Sequence, residues 1–583
     1  MKQYHSIWIK LIQEALENYA KERAIGDLGS IKIVAETPPN PDMGDIAFPM
    51  FPLARLFKQS PPLIAEGIQK HLPETPWGKT EIAGPYLNVR LNKFQVQANI
   101  IEDIEKQADQ FGHTKAFADE KIMLEFSCPN TNKPLHLGHL RNDSLGESVS
   151  RILKANGANV QKVNLINDRG VHICKSMLAY LEFGHDSTPE TADRKSDHFV
   201  GDYYVKFAQW AKENPEAEEK ARDMLRAWEK GDSEVQELWK KMNHWAISGI
   251  KKTYENTGIH FDTYYYESET YLSGKDEIHR GLIEGKFYKE EDNSIWVDLS
   301  DIKLDKKVLL RGDGTSLYIT QDIGTAVKRH EDWPFKRLIY VVASEQKYHF
   351  QVLFHVLGLL GHDWAKNLYH LSYGMVNLPE GKMKSREGTV VDADNLLEEL
   401  VNLAKSEINS RERDDEITDI DKTSHSIALG ALNYYLLSTT PAKDMIFNPK
   451  ESISFNGNTG PYLQYTGARI CSILRKFDDR KTEFASGRFQ AELLTVKEEW
   501  EIMKLLASFS DIIEQAGREY NPSYIASYLY DLAKIFSRYY HDNPILHNAD
   551  ANIVVSRIRL VKAIKQAFEK GFYLIGVPFL ERM

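Results

Sequence analysis

From Lys121 the chain reads strand, loop, helix, strand, and that order confines the fold more than any other stretch does. The apolar run Ile122-Met-Leu-Glu-Phe126 has the length of a buried strand. Helical periodicity then runs from Leu137 to Ala155, Asn156-Gly157 is a helix stop, and residues 160–166 return as a second strand. Two strands joined by a helix make a right-handed βαβ crossover, so the sheet is expected to be parallel. Such sheets bind ligands outside the carboxyl ends of their strands. The loop at the first of those ends is Pro129-Asn-Thr-Asn-Lys-Pro-Leu-His-Leu-Gly-His-Leu140. It brings His136, Gly138 and His139 to a helix N-terminus, where unpaired N–H groups and the positive end of the dipole favour an anion. The histidines add donors that can follow phosphate charge, and Gly138 lets a flat base approach the backbone. An isolated His-x-Gly-His is equally a helix cap with two surface histidines, so the rest of the chain must decide.

A chain of 583 residues is too long for one core, and its pattern changes along its length. Residues 1–115 read as a separate α+β unit, with helical stretches at 7–20, 61–71 and 94–110 and a strand at 86–91. Residues 116–395 carry the parallel sheet, which resumes at 338–343 and 370–376. The interval of about 183–310 reads as a charged, mostly helical insertion whose charge runs are solvated faces. A helical connector is expected at 396–455, with an exposed loop at 410–421, and a helical bundle at 456–583. The fold class is thus α/β multidomain. It combines a Rossmann-type parallel-sheet domain with a helical insertion, an N-terminal α+β domain and a C-terminal all-α bundle.

Composition excludes several classes. No apolar run approaches bilayer length, and the amphipathic first helix lacks the continuous apolar core of a signal peptide, so a cytosolic location is expected. Three scattered cysteines, Cys128, Cys174 and Cys471, form no Cys-x-x-Cys pair, which argues against zinc and a disulfide framework. The net charge of −11 counts superficially against nucleic acid, but a polyanion sees local patches. Residues 551–583 carry six Lys/Arg against two Glu.

Four further groups bear on the histidine pair. Asn167-Asp168-Arg169-Gly170 follows the second strand and faces the same crevice, or is a plain Asn-Asp turn. Gly381-Lys-Met-Lys-Ser-Arg-Glu-Gly-Thr389 is a basic, glycine-bounded loop able to close over a triphosphate, or a surface loop. Tyr318 and Asp322 share a helix face, with Gln346 arriving from another strand end. Glu267 follows the aromatic cluster at 261–266; carboxylates and rings together suit a planar cation. Each of these aromatics is also a candidate core residue.

In this order the motifs resemble the arginyl-tRNA synthetases, class I enzymes. Glu125-Phe-Ser-Cys-Pro-Asn130 with Lys133-Pro-Leu-His-Leu-Gly-His139 resembles that family's first signature. Residues 381–389 stand where class I enzymes carry a Lys-Met-Ser-Lys-Ser loop. Gly460-Pro-Tyr-Leu-Gln-Tyr-Thr-Gly-Ala-Arg-Ile470 resembles the opening of its anticodon-binding domain, and Glu581-Arg-Met583 its ending. Thr37–Phe51, Ile64-Ala65 and Ala83-Gly84 resemble the N-terminal domain that touches the tRNA elbow.

The resemblance implies ligation of L-arginine to tRNA(Arg) through an arginyl-adenylate, with ATP and Mg²⁺, no zinc and no metal-binding residues, by a monomer. His136, Gly138 and His139 would hold ATP, with Met375 and Val376 beside them. Asn130, Glu125 and Ser127 would meet the α-amino end of arginine. Glu267, Tyr318 and Asp322 would read the guanidinium, and Gln346 would help hold the amino acid. Ser385 replaces the family loop's second lysine, so phosphate contact is open among Lys133, Lys382, Lys384 and Arg386. Lys133 with Lys384 as its mobile partner is favoured. Asn458, Tyr462 and Tyr465 are candidate tRNA contacts, or helix-packing residues. Two rivals remain: another His-x-Gly-His nucleotidyltransferase or synthetase, and a catalytically dead tRNA-binding relative.

Overall fold

The protein is described by a computed structural model covering residues 1–26, 28, 32–379, 391–410, 417 and 419–583. The basic loop with Lys382, Lys384 and Arg386 lies outside the described residues, as does most of the expected loop after 410.

The centre is a five-stranded parallel sheet. Its strands are β1 (Lys121–Glu125), β2 (Asn159–Ile166), β3 (Thr263–Tyr266), β4 (Arg337–Ala343) and β5 (Leu368–Tyr373), in the order β5-β4-β1-β2-β3. The chain winds outward from β1 through β2 to β3, then returns to the other side of β1 with β4. That reversal is the topological switch point at which open α/β sheets bind ligands. The Leu137–Ala155 helix links β1 to β2 as the sequence pattern requires. Buried Met123, Val163, Leu338 and Tyr340 of the sheet join Ile319, Ile323, Leu353 and Val356 of the covering helices in one core.

The expectation of one helical insertion over about 183–310 needs correcting. Helices Ser196–Glu213, Glu216–Glu229 and Ser233–Thr257 form a lobe whose core includes Phe199, Tyr203, Phe207 and Met242. The chain then returns to the sheet, because Thr263–Tyr266 pairs with β2 as the edge strand. A second excursion carries a small antiparallel sheet, Tyr288–Lys289, Ile295–Val297 and Lys307–Leu310, whose Ile295, Val297, Leu309 and Leu310 belong to the main core. Four residues rich in tyrosine carry too short a period to announce a strand; pairing with β2 supplies what the local pattern lacks.

Contacts divide the chain into two compact units. One comprises residues 1–112, 469–512 and 528–570, and the other 113–468, 513–527 and 571–583. In the first, strands Ile46–Pro49, Gly78–Ala83 and Tyr86–Leu91 form an antiparallel sheet beside helices that include Lys2–Glu22, Pro61–Lys70 and Lys93–Gln107. Within that unit Gln97 donates to the Leu494 carbonyl at 3.2 Å, joining the N-terminal segment to the C-terminal helices. Among the described residues no helix is long and apolar enough to cross a membrane.

Candidate active site

Each of the five strands ends beside a residue singled out from the sequence. After β1 come Ser127, Asn130, Lys133 and His136; after β2, Asn167 to Gly170; after β3, Glu267; after β4, Gln346; after β5, Met375 and Val376. Parallel strands place their carboxyl ends on one edge, so segments far apart in sequence meet there.

The histidine pair is locked into the helix start. His136 is the N-cap of the Leu137–Ala155 helix, and its Nδ1 accepts from the Gly138 N–H at 3.1 Å. His139 Nδ1 accepts in turn from the His136 N–H at 3.2 Å, and the ring centroids lie 4.0 Å apart. A Cβ on Gly138 would lie 2.9 Å from His136 Cε1, so glycine is what lets the ring fold back. Burial, with the nearby Lys133 ammonium, lowers the His136 pKa to about 4; burial and the charges of His136 and Lys133 push His139 well below its ordinary value. Both rings are therefore neutral at physiological pH. With each Nδ1 accepting from backbone, each Nε2 carries the proton and is a donor. Burial lowers the Lys133 pKa as well, with no carboxylate among the described residues opposing it.

The loop into this site is strained and pinned. Ser127 and Cys128 have φ of +74° and +49°, a costly region for residues with side chains. The Asn142 side chain accepts from the Ser127 N–H at 2.6 Å, and Asn164 from the Cys128 N–H at 3.1 Å. Asn167 donates to the Cys128 carbonyl at 3.0 Å, and its backbone bridges to Asn130. Ser127 is buried with its hydroxyl bonded to Tyr254 at 2.6 Å, whereas Asn130 is exposed. Past the undescribed loop, the Val391 carbonyl accepts from the Leu137 N–H at 3.0 Å, and the Ala393 N–H donates to the Leu135 carbonyl at 3.0 Å. The chain re-emerges directly beside the histidine pair.

Three carboxylates gather on the other side of the switch point, two with an arginine nearby and one bonded to a histidine. Glu125 is buried and ion-paired with Arg329, whose guanidinium lies 4.9 Å from the Tyr265 ring centre. Asp322 is bonded to His349 Nε2 at 2.6 Å. Glu267 lies 4.0 Å from Arg169. Burial raises the Glu267 pKa to about 7, with Arg169 pulling it down and Asp168 and Asp322 adding to the rise. Burial also raises Glu125, against the Arg329 charge, and Asp322 adds to that rise. Tyr318 is 72% exposed at the start of the Tyr318–Asp332 helix, and Gln346 is exposed just after β4. Sequence reasoning missed Arg329 and His349. Residues 318, 322, 325 and 329 form one stripe of the helix, a signal that would have pointed to Arg329.

Met375 donates its N–H to Asp444 at 2.7 Å, and its carbonyl accepts from the Met445 N–H at 2.9 Å. Phe447 N–H donates to the Asn377 carbonyl at 2.7 Å, so the parallel ladder turns the backbone groups of Val376 to the opposite edge. The Val376 side chain is buried, leaving the backbone as what it can offer a ligand.

One grouping among the described residues has metal-ligand spacing: Asp197, His198 and Asp394. The Lys195 ammonium lies 3.1 Å from Asp197 and 2.6 Å from Asp394, so the cluster is an ion-pair network with its cation already in place. Of the expected RNA contacts, Asn458 is exposed and accepts from the Tyr434 hydroxyl, and Tyr465 packs on the cluster of Ala404, Ile408 and Ile427. Tyr462 is half-buried on the Gly460–Asp479 helix. Further along that helix, Arg469 and Lys476 line a cavity of about 390 Å³ together with Tyr540, His541 and His547.

Three family descriptions match this chain: "tRNA synthetases class I (R), catalytic domain" over residues 100–449, "DALR anticodon binding domain" over 463–583, and "Arginyl tRNA synthetase N terminal domain" over 6–91. An arginine–tRNA ligase of Treponema denticola is 55% identical over 100% of both chains. That of Treponema pallidum subsp. pallidum is 52% identical over 96% of each, and that of Borrelia hermsii 45% over 98% of this chain and 99% of its own. Among solved structures, the arginyl-tRNA synthetase of Thermus thermophilus superposes with a TM-score of 0.78 at 24% identity, over 99% of this chain and 100% of that one. The enzyme of Plasmodium falciparum gives 0.74 at 21%, over 99% of each. At those identities the two structures speak to the fold alone.

Proposed function

The chain belongs to the arginyl-tRNA synthetase family, and from that premise we propose how its residues divide the work. The reaction ligates L-arginine to tRNA(Arg) at the expense of ATP, for protein synthesis. In the first step an arginine carboxylate oxygen bonds the α-phosphorus and diphosphate departs. In the second, a hydroxyl of the terminal tRNA adenosine attacks the arginyl carbonyl and AMP leaves. Neither step needs a covalent nucleophile from the protein, so catalysis rests on positioning and electrostatics.

In this reading His136 and His139 present neutral Nε2–H donors to the phosphates, and Lys133 adds a partly desolvated ammonium. Neutral donors suit the task, since they stabilise charge that grows without binding diphosphate product as a permanent cation would. Gly138, the outward backbone edge of Val376 and the Met375 side chain frame the adenine. Lys384, with Lys382 and Arg386, is assigned to the departing diphosphate on the basic, glycine-bounded composition of residues 381–389. Mg²⁺ is assigned to the nucleotide: bound by phosphate oxygens and water, it would supply neutralisation of phosphate charge.

Glu267, Asp322 and Tyr318 read the guanidinium, with Gln346 and Asn130 on the amino-acid end. Glu125 and Ser127 act from below: one Glu125 oxygen belongs to Arg329, leaving the other toward the α-ammonium, and the Ser127 hydroxyl is held by Tyr254. Lysine lacks the planar fork that this acidic set fits. For tRNA, residues 1–115 are assigned to the elbow and 456–583 to the anticodon, with 116–395 catalytic and 396–455 connecting. Asn458, Tyr462 and Tyr465 remain proposed contacts, and the Arg469–Tyr540 cavity is the better-formed pocket for an unstacked base. The enzyme acts as a cytosolic monomer, which light scattering of the purified chain checks.

The observation that carries this reading is the reciprocal histidine cap, whose two Nε2–H donors have no hydrogen-bond partner among the described residues, at the sheet's switch point beside an acidic trio. ATP–diphosphate exchange with each of the twenty amino acids, with and without total tRNA, tests it. Exchange with arginine plus tRNA alone is expected; exchange driven by another amino acid overturns it.

A further inference from the structure

In the Asn167-Asp168-Arg169-Gly170 segment, the side chains of Asp168 and Arg169 are held by partners from outside the loop. Asp168 accepts from both the N–H and the hydroxyl of Ser268, at 2.9 and 2.7 Å, fixing the residue next to Glu267. The Asp168 carbonyl accepts from Trp239 Nε1 at 2.6 Å and from Asn243 at 3.1 Å, both on the insertion helix Ser233–Thr257. Arg169, with only 7% of its side chain exposed, bonds Glu229 of the insertion at 2.5 Å. Its guanidinium lies 4.0 Å from the Tyr271 ring centre and 5.6 Å from that of Trp228. It stops 4.0 Å from Glu267 Oε1, too far for a hydrogen bond.

That last distance separates charge from occupancy. A guanidinium bonded to Glu267 would consume the lone pairs that a substrate fork needs. One held 4.0 Å away by Glu229 and an aromatic floor contributes its field and leaves the oxygens open. The field matters because the neighbours of Glu267 are mostly acidic. Asp168 faces it from the β2 loop, and Asp322, with Gln321 and the Tyr318 hydroxyl, from the Tyr318–Asp332 helix. Buried acids this close hold a proton unless a cation is near.

We infer that Arg169 is a positioning residue for guanidinium recognition: clamped between Glu229 and Tyr271, it keeps Glu267 charged without occupying it, so arginine affinity is set partly from the helical insertion. This rests on the reading of Glu267 as a guanidinium ligand. The test is ATP–diphosphate exchange with tRNA, recording kcat/KM for arginine between about pH 6 and pH 9, which reports ionisations of the free enzyme. Arg169→Gln is expected to move the acid limb up by about one pH unit or more, a tenfold loss on that limb, with KM for ATP unchanged. Arg169→Lys is expected to return most of it. Glu229→Gln, which leaves the Arg169 charge undivided, is expected to move the limb down, and it carries the test if Arg169→Gln does not fold. An equal loss at every pH, or a limb that stays in place in both variants, overturns the inference. Unchanged arginine KM in Glu267→Gln instead overturns the reading of Glu267, whatever Arg169 does.

Discussion

His136 holds two jobs in one ring, and they can be separated. Its Nδ1 caps the Gly138 N–H at 3.1 Å, and its Nε2–H is the proposed phosphate donor. Asparagine is among the best N-caps and keeps the first function; alanine keeps neither. Losing a cap costs about 1 kcal/mol, and losing one preorganised donor costs about 100- to 1000-fold in kcat. His136→Asn should therefore lose about 100-fold or more in ATP–diphosphate exchange with the helix start intact. His136→Ala should lose the same rate and also fray the first turn. A shift of 1 kcal/mol moves the melting temperature of a 150- to 250-residue domain by only about 2–4 °C, so a global melt is a blunt readout. Hydrogen exchange at the amides of residues 138–140 reads the opening directly, and about 1 kcal/mol is a fivefold faster exchange there. An asparagine variant with wild-type kcat would show that the ring is a cap and nothing more. An alanine variant with unchanged exchange would show that the cap is idle.

Lys133→Gln is expected to lower kcat for arginyl-adenylate formation by about tenfold or more while leaving KM for arginine in place, since it removes a cation assigned to the phosphates and leaves the acidic set untouched; a matching rise in arginine KM would count against that assignment. Asp143 is buried with no cation paired to it among the described residues, and burial raises its pKa to about 8 against the pull of the Ser127 hydroxyl. The folded state therefore binds a proton that the unfolded state releases between its ordinary value and about 8, and stability falls as pH rises through that window. Asp143→Asn should stabilise, more at pH 8 than at pH 5 by denaturant midpoint; a gain independent of pH would refute the linkage. In the C-terminal helices, Arg469→Ala should weaken tRNA binding and flatten its salt dependence by less than about one phosphate contact. Tyr540→Ala should cost about 1–3 kcal/mol with the salt slope unchanged. Filter binding across a salt series distinguishes the two, and identical slopes in both variants would remove Arg469 from the RNA path.

What the sequence determined was local. Helix 137–155 starts where the histidine motif says, because the cap is made within four residues and its geometry follows from the backbone. The order of strand, helix and strand likewise settled the parallel sheet, through the handedness of the crossover. Tertiary structure alone decided the third strand, which a four-residue segment acquires by pairing with β2, and the charge state of the site. Arg169 reaches Glu267, Arg329 reaches Glu125 and His349 reaches Asp322 because strand ends and helix faces converge in space. Burial then decides which groups ionise: it keeps both signature histidines neutral and leaves Glu267 poised near pH 7. Desolvation is a property of the assembled interior, and no reading of residues one after another contains it.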